Sequence, residues 1–217
     1  DIFKISYQEN KAFNYILCEE NEMLGVNTLN DFYKIDEIYQ KNLKDKLINN
    51  GVQIIDPNTL RVSFDTIVGK DSIIESHVSI QKGVKIGKEV KIKSHTYIDN
   101  SSIGDSCSIG PFARIRPKTS ISNNVKIGNF VEIKNSNIGD GSSIAHLCYI
   151  GDSLVGKKVN FGAGSITCNY DGKRKHKTII KDGAFIGSNS SLIAPLTINK
   201  NVKVGAGSVI HKDIPSN

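Results

Sequence analysis

Between Val62 and Ile210 an aliphatic residue returns at every sixth position. One run reads Val62, Val68, Ile74, Ile80, Ile86, Ile92, Ile98. After a five-residue step it resumes as Ile103, Ile109, Ile115, Ile121, Ile127, Ile133. Further short steps give Ile138, Ile144, Ile150, then Val155 and Phe161, and the last run is Ile180, Ile186, Leu192, Ile198, Val204, Ile210. A glycine often follows this anchor, as at Gly69, Gly87, Gly128 and Gly187, and a small or β-branched residue sits four places past it, as at Ser72, Val78 and Thr96. A period of six is neither helical nor the simple alternation of a strand. It is the repeat of a parallel β-helix, one short strand and a turn per hexad. Three hexads close a triangular coil, so residues eighteen apart stack on neighbouring coils, the anchor points into the prism and glycine serves the turn. The pattern predicts about eight coils, an axial height of about 40 Å at the spacing of paired strands. Hexapeptide coils of this kind wind left-handedly, an exception to the usual crossover rule.

The pattern is absent before Val62. Residues 28–49 carry Phe32, Ile35, Tyr39, Leu43 and Leu47 on one helical stripe. Asn27 or Thr28 is placed to cap that helix and Gly51 to end it. Ile2–Tyr7 and Asn14–Leu17 read as two short strands, the remnant of a larger sheet, because two strands alone are marginal in water. The fold class is therefore mainly β: a left-handed parallel β-helix over 57–217, a linker with a long helix over 28–56, and a short remnant of an α/β domain over 1–27.

Composition narrows the function classes. No apolar run is long enough to span a membrane and no secretory leader opens the chain, so membrane insertion is not expected and a cytoplasmic location is. The four cysteines, Cys18, Cys107, Cys148 and Cys168, form no CxxC pair. Cys107 and Cys148 fall on the small inward position and read as buried, reduced thiols. The net charge of +6 suits anionic small molecules or is simply a solvated lysine surface. Nucleic acid is not expected, since no basic tract is interleaved with aromatics.

Three features carry candidate chemistry. Arg116 and Lys134 each follow an anchor and are eighteen residues apart, so they stack on one face of adjacent coils. Two such cations repel unless an anion, a phosphate above all, bridges them; the alternative is two solvated side chains diverging into water. His146 lies one coil further on and is a candidate general base, although a lone histidine is more often structural. Asp171–Lys177 interrupts the hexads with a loop of cationic side chains, and an insertion on a regular solenoid is commonly where function sits. His77 and His95 are also eighteen apart, which predicts a stacked, exposed ladder, with no third histidine at metal-ligand spacing.

Longer motifs add a family. The segments Ile109-Gly110-Pro111-Phe112-Ala113-Arg114-Ile115-Arg116-Pro117, Gly128-Asn129-Phe130-Val131-Glu132-Ile133-Lys134, Ala145-His146-Leu147-Cys148-Tyr149-Ile150-Gly151-Asp152 and Asn160-Phe161-Gly162-Ala163-Gly164-Ser165-Ile166-Thr167-Cys168-Asn169-Tyr170-Asp171-Gly172 resemble the C-terminal domain of the bacterial bifunctional N-acetylglucosamine-1-phosphate uridyltransferase/glucosamine-1-phosphate acetyltransferases. The resemblance implies acetyl transfer from acetyl-CoA to the amine of glucosamine 1-phosphate, in UDP-N-acetylglucosamine biosynthesis, on a homotrimer. It implies His146 as the base, Arg116 and Lys134 at the sugar phosphate, and Tyr149 and Asn160 at the sugar. Ala163, Asn169, Tyr170, Ser188 and Ala206 would line the acetyl-CoA site, with Lys175 reaching toward CoA. Asn27 matches a residue that contacts metal and nucleotide in the uridyltransferase domain, so Mg2+ would be relevant only with that domain present, and no uridyl transfer is expected of this chain. The family continues past the equivalent of Asn217 with a tail whose arginine contacts CoA, so acetyl-CoA affinity is expected to depend on it. The alternatives are another hexapeptide-repeat acyltransferase and a non-catalytic β-solenoid scaffold; the latter predicts flat outward threonine rows, which the sequence lacks.

Overall fold

A computed structural model describes residues 2–12, 14 and 16–216. The chain divides into two compact units, Asp1–Lys41 and Asn42–Asn217. Among the described residues no helix is long and apolar enough to cross a membrane.

In the first unit, Ile2–Gln8 forms helix α1 rather than the expected strand. A strand must pair its backbone with a neighbour, and no strand is found among the described residues of this unit. A helix satisfies the same groups locally, and the turn closes with Glu9 N–H to the Ile5 carbonyl at 2.9 Å. None of the α1 residues is buried. Asn14, Ile16 and Leu17 of the second expected strand belong to no regular element; Tyr15 lies outside the described residues.

Helix α2 runs Leu29–Asn49, one residue inside the expected start. Thr28 caps it: Thr28 Oγ1 accepts the Asp31 N–H at 3.2 Å, and Asp31 Oδ2 accepts the Thr28 N–H at 2.9 Å. This reciprocal pair satisfies two donors that a helix start leaves free. In the second unit the helix ends as the sequence predicts, with Gly51 at φ 86°. Val52 N–H returns to the Leu47 carbonyl at 3.1 Å and Gly51 N–H to Ile48 at 2.9 Å, the paired bonds of a glycine-terminated helix. Leu47 and Val52 are both buried in the core.

The rest of the second unit is a three-sided parallel β-helix. Its sheets contain nine, nine and eight strands. The first face includes Ser108–Ile109, Lys126–Asn129, Ser143–His146 and Asn160–Phe161. The second includes Arg114–Ile115, Glu132–Lys134, Tyr149–Gly151 and Ile166–Cys168. The third includes Thr119–Ile121, Asn137–Ile138 and Ser153–Val155. The register is the predicted one: Ile115 lies opposite Ile133 and Ile98 opposite Ile115. Pairing begins earlier than the hexads suggest, at Gln53–Ile54 against Ile73–Ile74. That coil is two residues longer than the regular eighteen, which masks the period.

The anchors fill the prism: Ile92, Ile109, Ile127, Ile133 and Ile144 are fully buried, each contributing about 1.5–3 kcal/mol relative to exposure. One anchor is polar. Thr167 takes the inward position on the second face and is fully buried. It is tolerated because its hydroxyl accepts the Gly151 N–H at 2.8 Å and lies 3.3 Å from the Gly151 carbonyl.

Gly110 has a positive φ of 93°, but the other glycines after the anchors do not serve the turn as expected. At Gly69 a Cβ would come within 2.6 Å of the Gly87 carbonyl carbon, and at Gly139 within 2.5 Å of that of Gly156, while neither glycine has a positive φ. They permit neighbouring coils to approach. The left-handed backbone instead falls three places past the anchor and is often not glycine, as at His77 (φ 57°), His95 (58°), Phe112 (53°), Phe130 (53°) and Leu147 (53°). On one corner these side chains stack. The His77 and His95 rings are 4.8 Å apart, as the spacing predicts, and the ladder continues to Phe112 at 4.7 Å and Phe130 at 5.2 Å. Cys107 and Cys148 are buried as expected, and burial pushes both thiols up.

Candidate active site

The site residues fall into two groups at the two edges of the second face. The first occupies the corner where the first face turns into the second. There the N–H of one coil reaches the carbonyl of the coil before it: Leu147 to Asn129 (3.0 Å), Gly164 to His146 (3.2 Å), Asn189 to Ala163 (2.8 Å) and Gly207 to Ser188 (2.7 Å). This ladder stacks Asn129, His146, Ala163 and Ser188 in one column, and Ala206, two past its own anchor Val204, continues it. His146 is exposed. Its Nδ1 lies 2.6 Å from Asn129 Oδ1. An amide oxygen accepts, so the proton sits on Nδ1 and Nε2 keeps its lone pair. Beside His146 is an open groove of about 400 Å³, walled by Gly110, Phe112, Asn129, Phe130 and the lysines Lys93 and Lys126. Arg116 and Lys134 do not line it.

The second group gathers where the second face turns into the third. Arg116 Nη1 donates to Glu132 Oε1 at 2.7 Å, and Arg114 Nη1 lies 3.7 Å from the other oxygen of the same carboxylate. Lys134 is held below the ordinary lysine range. The abutting Lys175 side chain is the largest cause, burial the next, and the charges of Lys175 and Arg116 add to them against the opposing pull of Asp152. Asp152 is itself held below the ordinary carboxylate range: burial pushes it up, but bonds from Asn135 and Asn169 and the charges of Lys134 and Lys175 outweigh that. Four cations thus share two carboxylates, and the surplus is positive.

Arg116 and Lys134 therefore share a face, as the eighteen-residue spacing requires, and Glu132 already supplies an anion for Arg116. The imidazole lies across the face from them rather than in a common pocket. Tyr149, between Glu132 and Ile166 on that face, reaches toward the cation edge; its hydroxyl is 3.5 Å from Asn169 Nδ2. Asn169 is buried and also donates to Asp152, so it belongs to the cation edge and not to the column of Ala163, Ser188 and Ala206. Tyr170 is exposed, with its hydroxyl donated to the Gly172 carbonyl at 2.7 Å. Lys175 sits beside Lys134. Asn160 lies on the first face, paired with Ser143.

Asn27 precedes α2 and donates its N–H to Asp31 at 3.2 Å. One amide side chain does not make an oxygen cage for Mg2+, and among the described residues no three His, Cys, Asp or Glu gather as a metal site. The residues present do not fit that ion.

Two family descriptions match: the GMPPB C-terminal domain over residues 100–170, and the bacterial transferase hexapeptide (six repeats) over 65–100 and 177–212. The bifunctional protein GlmU of Wolbachia pipientis wMel is 43% identical over 99% of this chain. That of Thermosipho africanus is 45% identical over 91% of it. GlmU proteins are homologues of this chain along nearly its whole length. It spans about half the length of these GlmU relatives, 50% and 47% respectively. The fold is shared more widely. A UDP-N-acetylglucosamine acyltransferase of Arabidopsis, 20% identical, superposes with a TM-score of 0.57 over 72% of this chain and 67% of that one.

Sequence reasoning missed Asn129, Glu132 and Asp152 as parts of this candidate site. Glu132 precedes the anchor Ile133 and so had to point outward beside Arg116, a signal that was available. Asn129 and Asp152 act through side-chain reach between coils, which spacing alone does not give.

Proposed function

We propose that this chain transfers the acetyl group of acetyl-CoA to the amine of glucosamine 1-phosphate, supplying N-acetylglucosamine 1-phosphate for UDP-N-acetylglucosamine synthesis in the cytoplasm. The observation that carries the reading is the cation edge: Arg116, Lys134 and Lys175 converge with their charge only partly met, and the abutting Lys175 side chain and burial hold Lys134 low despite Asp152. A sugar phosphate is the anion of the right size and charge. In this reading Tyr149 holds the sugar across the face. His146 Nε2 takes a proton from the substrate ammonium, and the free amine attacks the thioester carbonyl. The tetrahedral adduct collapses with loss of the CoA thiolate; the former amine nitrogen gives up its extra proton, the thiolate takes it up, and the proton on His146 passes to solvent. The base is fixed by Asn129, so no proton needs to leave Nδ1. The small residues Ala163, Ser188 and Ala206 leave a shallow track up the corner from His146, suited to a thin pantetheine arm.

In this reading the chain acts as a trimer: Asn160 lies on the first face and the cations on the second, so the first face of a second copy would bring an Asn160 to the ligand that the cations hold. The uridyl step is outside this proposal.

The test is thiol release from acetyl-CoA in the presence of glucosamine 1-phosphate. His146→Ala is expected to lower kcat about 10²- to 10⁴-fold. Release that ignores the sugar phosphate, or a His146→Ala protein as fast as the parent, overturns the reading. Arg116→Ala separates it from other hexapeptide acyltransferases, because only a phosphate substrate makes KM depend on that residue.

A further inference from the structure

The excursion from Tyr170 to Lys177 carries a lysine to the cation edge, and something must hold it there against two like charges. The loop is not loose. Asp171 Oδ1 accepts the N–H of both Lys173 and Arg174, each at 2.7 Å. Its other oxygen lies 2.6 Å from His176 Nε2. The Asp171 N–H returns to the Arg174 carbonyl at 3.2 Å, and His176 N–H to the Asn169 carbonyl at 2.7 Å. Tyr170 and Lys175 pair as an antiparallel bridge. Lys175 is thus the one residue between Arg174 and His176, both tied to a single carboxylate.

We propose that Asp171 is a positioning residue for phosphate binding: it knots residues 171–176 into a closed hairpin that presents the Lys175 ammonium beside Lys134. The inference rests on the acetyl-transfer reading and adds to it the residue that sets one of its phosphate ligands. Without the knot, repulsion from Lys134 and Arg116 drives Lys175 into solvent, where its charge is best hydrated. The carboxylate is suited to the task. The Arg174 N–H, the His176 ring and the Lys173 N–H hold it far below the ordinary carboxylate range, so it stays ionised and its oxygens are already occupied. It therefore does not compete with an incoming phosphate for Lys175.

The test is a calorimetric titration of glucosamine 1-phosphate into the chain, with thermal melting of each variant as a control. Asp171→Ala is expected to weaken binding about 5- to 20-fold, and to have less than about a 2-fold effect in a Lys175→Ala background, since the two act through one contact. His176→Ala removes one arm of the knot and is expected to have a smaller effect of the same kind, and Asp171→Asn to restore part of the affinity. In the thiol-release assay the loss appears in KM, with kcat within about 3-fold. An Asp171→Ala protein with parental affinity, or one weakened equally with and without Lys175, overturns the inference. Lys134→Ala separates the two proposals: if it weakens binding while Asp171→Ala does not, only the role of Asp171 falls; if neither matters, or the parent does not bind, the phosphate site itself falls and takes the role of Asp171 with it.

Discussion

Gly151→Ala probes the substrate face with the smallest possible change. Gly151 lies in the strand Tyr149–Gly151, beside Lys134. A Cβ there would meet Tyr149 Oη at 2.5 Å, Asn169 Nδ2 at 2.7 Å and Tyr149 Cε1 at 2.8 Å. An ordinary contact is about 3.5 Å, so the phenol must retreat by about 1 Å. The Asn169 amide must also give by a few tenths of an ångström; φ is not positive at Gly151, and the three nearest atoms are side-chain atoms. The ring can swing outward because only the weak Asn169 contact holds its hydroxyl. Stability should therefore fall by less than about 1 kcal/mol, within the range of tolerated packing changes. Under the proposed function the displaced hydroxyl and amide border the sugar phosphate, and a misplacement of about 1 Å is worth up to roughly 10²-fold. The expected result is kcat/KM for glucosamine 1-phosphate down about 10- to 100-fold with an unchanged melting temperature. Gly128→Ala is the contrast, because its Cβ would run into the backbone of Ala145, and it should destabilise the fold. A Gly151→Ala protein with parental kcat/KM refutes the placement of Tyr149 at the substrate.

Three further outcomes are expected. Asn129→Ala removes the acceptor that fixes the imidazole tautomer, so kcat should fall about 10-fold with little change in KM; Asn129→Asp should move the acid limb of the pH–rate profile to higher pH, because a carboxylate favours the imidazolium, and an unmoved limb counts against the contact. Ile133→Ala leaves a void at a fully buried anchor and should cost about 2–5 kcal/mol in denaturant unfolding; a cost below about 1 kcal/mol would mean that the coils collapse onto the gap. Lys134 is held below its ordinary 10.5, so as pH rises the folded state loses this proton before the unfolded state does. Stability gains slightly in that window, while affinity for glucosamine 1-phosphate falls in it; Lys134→Arg should abolish the alkaline loss of affinity, and an equal loss in that variant would move its cause elsewhere.

Much of this was legible in the sequence because the prism makes the same demand on every coil. Each inward position needs a branched aliphatic residue, so the period survives the five-residue steps, and the stacking of Arg116 on Lys134 and of His77 on His95 follows by counting. Where the demand was met differently, counting failed. Thr167 broke the aliphatic run because its hydroxyl is satisfied by Gly151. Apart from Gly110, the glycines after the anchors were misassigned because a turn and a close coil approach leave the same mark in one sequence. Ile2–Gln8 was read as a strand from residues that suit either state, and without a paired neighbour the local helix wins. The long first coil hid the pairing of Gln53–Ile54.

The same regularity explains why the site is spread out. On a solenoid, residues at one position of successive coils form a column about 4.8 Å apart along the axis, so groups of one column touch readily, as Asn129 touches His146. Groups at opposite edges of a face are separated by the whole strand and meet only through a long side chain or a ligand. Tyr149 is the side chain that reaches from the strand toward the cation edge. The hairpin of Asp171 breaks the columns altogether and brings Lys175 to a position that no hexad residue occupies. Catalytic geometry on such a scaffold must come from three sources: contacts within a column, side chains long enough to cross a face, and excursions that leave the repeat. The first is countable from sequence. The other two depend on how far a side chain or loop reaches, which is why the imidazole's partner and the knot at Asp171 emerged only from the folded chain.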